Sequence, residues 1–175
     1  MAKILVSACL LGEPVRYDAQ NLVVEDAILQ GWLEQHRVIS FCPEVASGLA
    51  VPRTAAEIHG GDGHQVLAGR ASVIDKTGQD VTTFFVRGAQ QALAICIQHK
   101  IKMAVLAQRS PSCADRQIYN GEFNRTLING SGVSAALLQQ NGIRVFNQTA
   151  LIEASAYLDQ LLSEEQLQVV FNREN

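Results

Sequence analysis

The sequence has few of the features that mark a membrane, exported or nucleic-acid-coating protein. No apolar stretch in its 175 residues approaches the roughly 18 residues of a membrane-spanning helix. The opening segment, MAKILVSACLL, lacks the basic region and the small-residue cleavage site of a signal peptide. The net charge is only −3 and no long run of one sign occurs, so we expect no broad basic surface for duplex nucleic acid, although a local cationic pocket is compatible with this charge. We therefore expect a cytoplasmic protein with neither a membrane nor a duplex nucleic acid as partner.

The composition is that of an ordinary globular protein. Hydrophobic residues make up 47% and charged residues 18% of the chain, and its length suits one sizeable core. No internal repeat or low-complexity segment divides it. We expect a single domain over residues 1–175, and the composition gives no indication of the oligomeric state.

Short apolar runs alternate with segments of helical periodicity, the order that builds parallel βαβ units. The predicted strands are residues 3–8, 37–41, 102–107 and 143–146. The predicted helices are residues 22–35, 80–100 and 132–140, the first capped by Asn21 and the last ended by Asn141–Gly142. This pattern predicts an α/β, three-layer Rossmann-like fold with a mostly parallel central sheet and helices on both faces.

Two segments depart from this alternation of strands and helices. Residues 43–80 are rich in glycine and predict an inserted loop or hairpin, with strands at 65–67 and 71–75. The tail, residues 149–171, predicts one or two helices, and Ser163 with Gln166 resembles a capping box.

Three of the four cysteines occupy equivalent positions in this pattern. Cys9 and Cys42 directly follow the first and second predicted strands, and Cys113 lies in the loop after the third. Because parallel strands end at one edge of a sheet, and ligands bind there, we expect the three thiols to converge. Cys96 lies inside a predicted apolar helix, which indicates a buried core residue.

Several chemistries fit three converged thiols. One is a zinc site with Glu44 or water as a fourth ligand, either catalytic or a structural site in a partner-binding module. Another is an iron–sulfur cluster with three cysteine ligands and one open iron. A third is thiol nucleophilic chemistry, although the spacing from Cys9 to Arg16 and the intervening Pro14 disfavour a cysteine phosphatase. The residues alone leave these open.

Polar residues flank the predicted cysteine site. Glu44, in the CPE sequence, should reach the same pocket as a proton donor or acceptor. Ser110 and Ser112 flank Pro111 in RSPSC, where hydroxyl groups bind either substrate or the turn itself. Arg53 and Arg109 are candidates for binding an anionic or carbonyl-bearing ligand.

Two weaker features also suggest ligand binding. His59 and His64 lie in the glycine-rich insertion, where exposed histidines are more common than metal ligands. The NGSG sequence at residues 129–132 precedes a helix whose N-terminus is a candidate anion site.

The spaced motifs together resemble the thiouracil desulfurase family, also labelled domain of unknown function 523. The resemblance covers roughly residues 4–146 and is carried by the following segments: VSACLLGEPVRYD, FCPEVASGLAVPR, GQDVT, RSPSC, IYNGEF and GSGVSAALLQQNGI. This chain has Ala114 where the family usually has glycine after the last cysteine. It also has Ala19 where a glycine often follows the aspartate of YD.

The resemblance implies a [4Fe-4S] cluster held by Cys9, Cys42 and Cys113, with one iron free of protein ligands. It also implies catalytic roles for Glu44 and Ser110. The implied reaction is the non-redox removal of sulfur from a thiolated nucleobase such as 2-thiouracil, or from a similar small heterocycle, to give the oxo product and hydrosulfide.

Overall fold

The computed structural model describes residues 2–171 of the chain, and side chains through residue 167. Its central sheet has four parallel strands in the order β2-β1-β5-β8, namely Ile4–Ser7 (β1), Val38–Phe41 (β2), Met103–Leu106 (β5) and Arg144–Asn147 (β8). The two central strands, ILVS and MAVL, are buried along their whole length. A strand covered on both faces is uniformly apolar, so these runs suit the middle of a parallel sheet. The predicted fold class is confirmed.

Three helices connect these strands, namely Ala27–Glu34 (α1), Thr82–Gln98 (α4) and Val133–Gln140 (α5). A fourth, Leu151–Phe171 (α6), follows the last strand. The order β2-β1-β5-β8 reverses direction at β1, so right-handed crossovers place α1 on one face and α4 and α5 on the other. Helix α6 packs beside α1, while α4 packs against α5. Within the described residues, no helix has the length and apolarity needed to cross a membrane.

Helix α1 begins later than its periodicity predicts. The side chain of Asp26 accepts a hydrogen bond from the Ile28 amide, so Asp26 and not Asn21 is the cap. The amides of Leu22 and Val24 instead donate to the carbonyls of Cys9 and Leu10. Residues 22–24 are thereby held beside the turn that carries Cys9.

The glycine-rich insertion contains a hairpin, but its first strand was predicted in the wrong place. Strand β3 (Ala56–His59) pairs antiparallel with β4 (Ser72–Asp75), whereas residues 65–67 lie in a helix, Gly63–Leu67 (α3). Asp62 and Gln65 form a capping box at the start of α3. This reciprocal capping satisfies the first amides of a helix and explains why the segment is not a strand.

The segment after β5 contains a second hairpin that the sequence reading missed. Strands β6 (Gln117–Tyr119) and β7 (Leu127–Asn129) pair antiparallel. In the tail, α6 is one helix and the predicted capping box is wrong, because the Ser163 hydroxyl donates to the Asp159 carbonyl inside the helix. The β3–β4 hairpin, α3 and parts of α4 and α5 enclose a second apolar cluster beside the core of the main sheet.

Candidate metal centre

The three cysteines that follow strands lie around one cavity. The strands β2, β1 and β5 that precede Cys42, Cys9 and Cys113 are neighbours in the sheet. A cavity of about 760 Å³ opens at their carboxyl ends, and all three cysteines line it together with Glu44 and Ser110. The predicted convergence of the three thiols is therefore observed, and Cys96 lies in the core of α4 with 1% of its surface exposed.

Cys9 is held by a 3₁₀ turn, Ala8–Leu11, that begins where β1 ends. Its carbonyl accepts hydrogen bonds from the amides of Leu22 and Gly12, at 2.8 and 3.4 Å. The turn is thus tied both to its own end and to the chain that leads into α1. This fixes the backbone of Cys9 at the rim of the sheet.

Cys42 is placed by a short helix, Pro43–Ala46 (α2), for which it is the N-terminal flanking residue. Pro43 occupies the first helical position, where its fixed backbone torsion favours a helix start. Helix α2 packs against α4 at Gly88, where an added Cβ would lie 2.3 Å from the Pro43 carbonyl oxygen. Only a residue without a side chain permits this approach, so Gly88 determines how closely the turn that carries Cys42 packs against α4.

The Cys113 loop is held by the first turn of α5. The amides of Val133, Ser134 and Ala135 donate to the carbonyls of Pro111 and Ser112. An added Cβ at Gly132 would lie 2.5 Å from the Ser112 carbonyl carbon. The N-terminus of α5 therefore binds the cysteine loop, and the predicted anion site at residues 129–132 is wrong.

Burial raises the pKa of all three thiols. Cys9 has its pKa raised from 9.0 to about 11, mainly by burial and then by the nearby Cys42, with the Arg16 charge opposing. Burial is also the largest cause for Cys42, whose pKa the Glu44 carboxylate raises further. The pKa of Cys113 is raised by burial as well, and a hydrogen bond from Ser7 opposes the shift. Metal binding must therefore displace protons from these thiols.

Glu44 is held in place by an ion pair. Its Oε2 lies 2.6 Å from Nη2 and 2.8 Å from Nε of Arg53, and both side chains are largely buried. The Arg53 Nη1 also donates to the carbonyls of Val15 and Ala50. Arg53 lines the cavity, as predicted, but its guanidinium is occupied by Glu44 and the backbone. These contacts indicate that Arg53 orients Glu44, and a direct contact of Arg53 with substrate stays a prediction.

The two serines of the RSPSC sequence have different environments. The Ser110 hydroxyl lines the cavity and accepts hydrogen bonds from the amides of Ser112 and Cys113, both at 3.1 Å. A hydroxyl has two acceptor sites and one hydrogen, so that hydrogen is free to donate into the cavity. Ser112 is fully buried outside the cavity lining, and its hydroxyl pairs with that of Ser134 at 2.9 Å. Ser112 is thus a packing residue, which corrects its predicted contact with substrate.

Other polar residues reach the cavity. Arg109 lines it as predicted, and no acidic side chain within residues 2–167 forms an ion pair with it. Tyr119 and Arg125, which belong to the missed hairpin, line it as well, and so does Ser7. His59 and His64 lie outside the cavity lining. The IYNGEF segment contains Tyr119 and leads into the turn of the missed hairpin, so this segment was the sequence feature that could have revealed the hairpin.

The donor set fits an iron–sulfur cluster better than a single ion. Within residues 2–167, no three cysteine, histidine, aspartate or glutamate side chains are grouped closely enough to hold one metal ion. The three thiols instead surround a cavity, and the Glu44 carboxylate is already paired with Arg53. Thiolates spread around a cavity suit a cluster of several irons, whereas a zinc site requires its ligands around one point.

Comparison with known proteins gives consistent results. The family model described as 2-thiouracil desulfurase matches residues 4–150. The uncharacterized protein YbbK of Bacillus subtilis (strain 168) is 39% identical over 148 residues, which is 85% of this chain and 97% of YbbK. The solved structure of the [4Fe-4S]-dependent thiouracil desulfidase TudS is 41% identical, with a TM-score of 0.83 over 91% of this chain and 99% of TudS. This chain belongs to the 2-thiouracil desulfurase family.

Proposed function

We propose that this protein is an iron–sulfur-dependent desulfidase that removes sulfur from 2-thiouracil or a similar small thiolated heterocycle. The observation that carries the proposal is the delivery of Cys9, Cys42 and Cys113 from three adjacent strand ends to one cavity that also contains Glu44 and Ser110. The family membership and the named activity of TudS support the same reaction.

Cys9, Cys42 and Cys113 are the proposed ligands of a [4Fe-4S] cluster. When bound, such a cluster supplies an iron without a protein ligand, which is a soft Lewis acid toward the sulfur of a thiocarbonyl group. In the net reaction the carbon–sulfur bond breaks and the carbon forms a bond to the oxygen of water. Hydrosulfide and a proton are released, and no atom changes its oxidation state overall.

Glu44 is the proposed proton acceptor for the attacking water. The Arg53 guanidinium holds one carboxylate oxygen, Oε2, so the orientation of the group is fixed while the other oxygen remains available. A positioned carboxylate within hydrogen-bond reach of water typically contributes a rate factor of about 10²–10⁴. Arg53 thus supports catalysis by orienting Glu44.

Ser110 is the proposed hydrogen-bond donor to the substrate. Backbone amides fill its two acceptor positions, which leaves the hydroxyl hydrogen available as a donor to a substrate in the cavity. Phe41, Phe84 and Phe85 are among the residues that line the same cavity. A flat heterocycle fits such a wall, because aromatic rings stack in offset or edge-to-face arrangements.

The proposal is tested by anaerobic reconstitution with iron and sulfide, followed by addition of 2-thiouracil. We expect uracil and sulfide to form in equal amounts in wild type, and activity and iron to be lost in Cys113→Ala. Cys96→Ala is the matched control, because it also removes a buried thiol but one outside the cavity. A chain that binds no iron contradicts the cluster assignment, whereas a fully loaded protein that releases no uracil contradicts the substrate assignment. A cytoplasmic location, consistent with unpaired cysteines, stays a prediction.

A further inference from the structure

The hydroxyl of Ser7 makes the one side-chain hydrogen bond to a cysteine sulfur found among the described residues. Its Oγ lies 3.6 Å from the Sγ of Cys113 and donates to it. Ser7 is only 2% exposed and Cys113 only 6% exposed, so water does not compete for this contact. Ser7 is the last residue of β1, two positions before Cys9, and it lines the cavity.

The orientation of this hydroxyl is set by the sheet. Paired residues of β1 and β5 end at Val6 and Val105, and beyond them the Ala107 amide donates to Ser7 Oγ at 3.0 Å. Because one acceptor position is filled by this amide, the single hydroxyl hydrogen is directed away from Ala107. The sulfur of Cys113 is the acceptor that it meets.

We infer that Ser7 is a positioning residue for the proposed iron–sulfur centre, where it donates a hydrogen bond to the Cys113 sulfur and raises the reduction potential of the cluster. This inference rests on the function proposed above and concerns a residue for which no role has been assigned. Hydrogen bonds to cluster sulfurs are among the factors that set the potential. They withdraw electron density from the ligand, so the irons become more electron-poor and a reduced, more negatively charged centre is stabilised.

The same electronic effect bears on the reaction. An electron-poor iron is a stronger Lewis acid toward a thiocarbonyl sulfur, so the donor at Ser7 should also favour polarisation of the carbon–sulfur bond. Since the reaction has no net redox change, the potential serves as a direct readout of this electron withdrawal, independent of turnover.

A purely structural role for Ser7 makes a different prediction. In that case the hydroxyl serves only to satisfy the buried Ala107 amide, and its loss would lower stability without altering the cluster. Ser131 provides the matched control. It is also a buried serine, with 7% exposure, and its hydroxyl oxygen lies 3.1 Å from both the Asp115 carbonyl oxygen and Gln139 Oε1, outside the cavity.

The experiment compares anaerobically reconstituted wild type, Ser7→Ala, Ser7→Thr and Ser131→Ala. The midpoint potential is measured by spectroscopically monitored redox titration, and the thermal stability of each metal-free chain is measured in parallel. We expect a more negative potential in Ser7→Ala, a potential close to wild type in Ser7→Thr, and no shift in Ser131→Ala. If Ser7→Ala does not fold, Ser7→Val is compared with Ser7→Thr, because valine has nearly the shape of threonine but no hydroxyl, and Ser7→Val should have the more negative potential.

The outcomes separate this inference from the proposed function. Equal potentials in wild type and the Ser7 variants, with the cluster fully bound, overturn the role of Ser7 and leave the desulfidase proposal standing. A wild-type chain that binds no cluster overturns both. A shift of equal size in Ser131→Ala overturns the inference too, because it would mark the change as a general consequence of lost stability.

Discussion

A single methyl group added at Gly88 should favour helix α4 by its intrinsic propensity but disturb the packing that positions the metal site. Placed in the interior of α4, an alanine is normally favoured over glycine by about 1 kcal/mol. At Gly88, however, the new Cβ would lie 2.3 Å from the Pro43 carbonyl oxygen, whereas ordinary contacts begin near 3.4 Å. Helix α2 would have to move by about 1 Å, and overpacking of this kind costs about 1–3 kcal/mol. We therefore expect Gly88→Ala to lower the free energy of unfolding by up to about 2 kcal/mol.

The displacement matters for function because α2 carries Cys42 and Glu44. A shift of this turn moves one proposed ligand and the proposed proton acceptor relative to the other two thiols. We expect Gly88→Ala to retain less iron after reconstitution than wild type, with a further loss of desulfidase activity. Urea denaturation of the metal-free chain gives the stability, and iron per chain after desalting gives the metal binding.

Gly31 supplies the matched control. It lies inside helix α1, and an added Cβ there would have no neighbour within 4 Å. Gly31→Ala should therefore raise the free energy of unfolding by up to about 1 kcal/mol and leave iron binding unchanged. If the two alanine variants have the same stability and the same iron content, close packing at Gly88 does not position the Cys42 turn and the reasoning is refuted.

Three further predictions concern other parts of the chain. Arg53→Met removes the ion-pair partner of Glu44, so kcat should fall by about 10²-fold or more while the iron content stays the same. An unchanged kcat would contradict the positioning role of Arg53. Ala19 has a left-handed backbone with φ of 59°, a conformation that glycine adopts without steric cost. Ala19→Gly should therefore raise the free energy of unfolding, measured by urea denaturation, by up to about 1 kcal/mol. A less stable variant would argue against strain at this position. Burial raises the pKa of Cys96 from 9.0 to about 12, so between these pH values the unfolded chain releases a proton that the folded chain retains. Stability should therefore fall as pH rises through this window, by at most about 1.4 kcal/mol per pH unit, and a Cys96→Ala variant measured over the same range should lack this contribution. Parallel pH profiles for the two proteins would count against it.

The placement of the cysteines could be predicted because it follows from chain direction. Once Cys9, Cys42 and Cys113 were each assigned to the end of a parallel strand, their convergence at one edge required no knowledge of strand order. The order β2-β1-β5-β8 then makes the three strands neighbours, which periodicity alone could not reveal.

The sequence-based assignments of helices and strands were wrong where hydrogen bonds of individual residues outweigh the pattern of apolar residues. Residues 65–67 form part of a helix because Asp62 and Gln65 cap it reciprocally, and this local hydrogen bonding outweighs the short apolar run. Helix α1 begins only after Asp26 because the preceding amides of Leu22 and Val24 are bonded to the Cys9 turn, a tertiary interaction that the sequence does not display.

The sequence also could not predict roles that depend on which group a side chain contacts in the folded protein. Arg53 and Ser112 were both expected to contact substrate, but the first binds Glu44 and the second is paired with Ser134 in the interior. Ser7 was read only as part of a buried strand, and its contact with Cys113 spans 106 positions of the chain. Such pairings depend on distances of a few ångströms, which residue type and spacing do not determine.

The measurement that bears most directly on the central claim is the Mössbauer spectrum of protein reconstituted with ⁵⁷Fe, recorded before and after addition of 2-thiouracil. Three cysteine ligands and one open position predict about four irons per chain, of which one differs from the other three and changes its signal when the thiocarbonyl compound binds. Irons that are all equivalent and insensitive to 2-thiouracil, or a chain that binds a single metal ion, would contradict a cluster held by three strand-end cysteines.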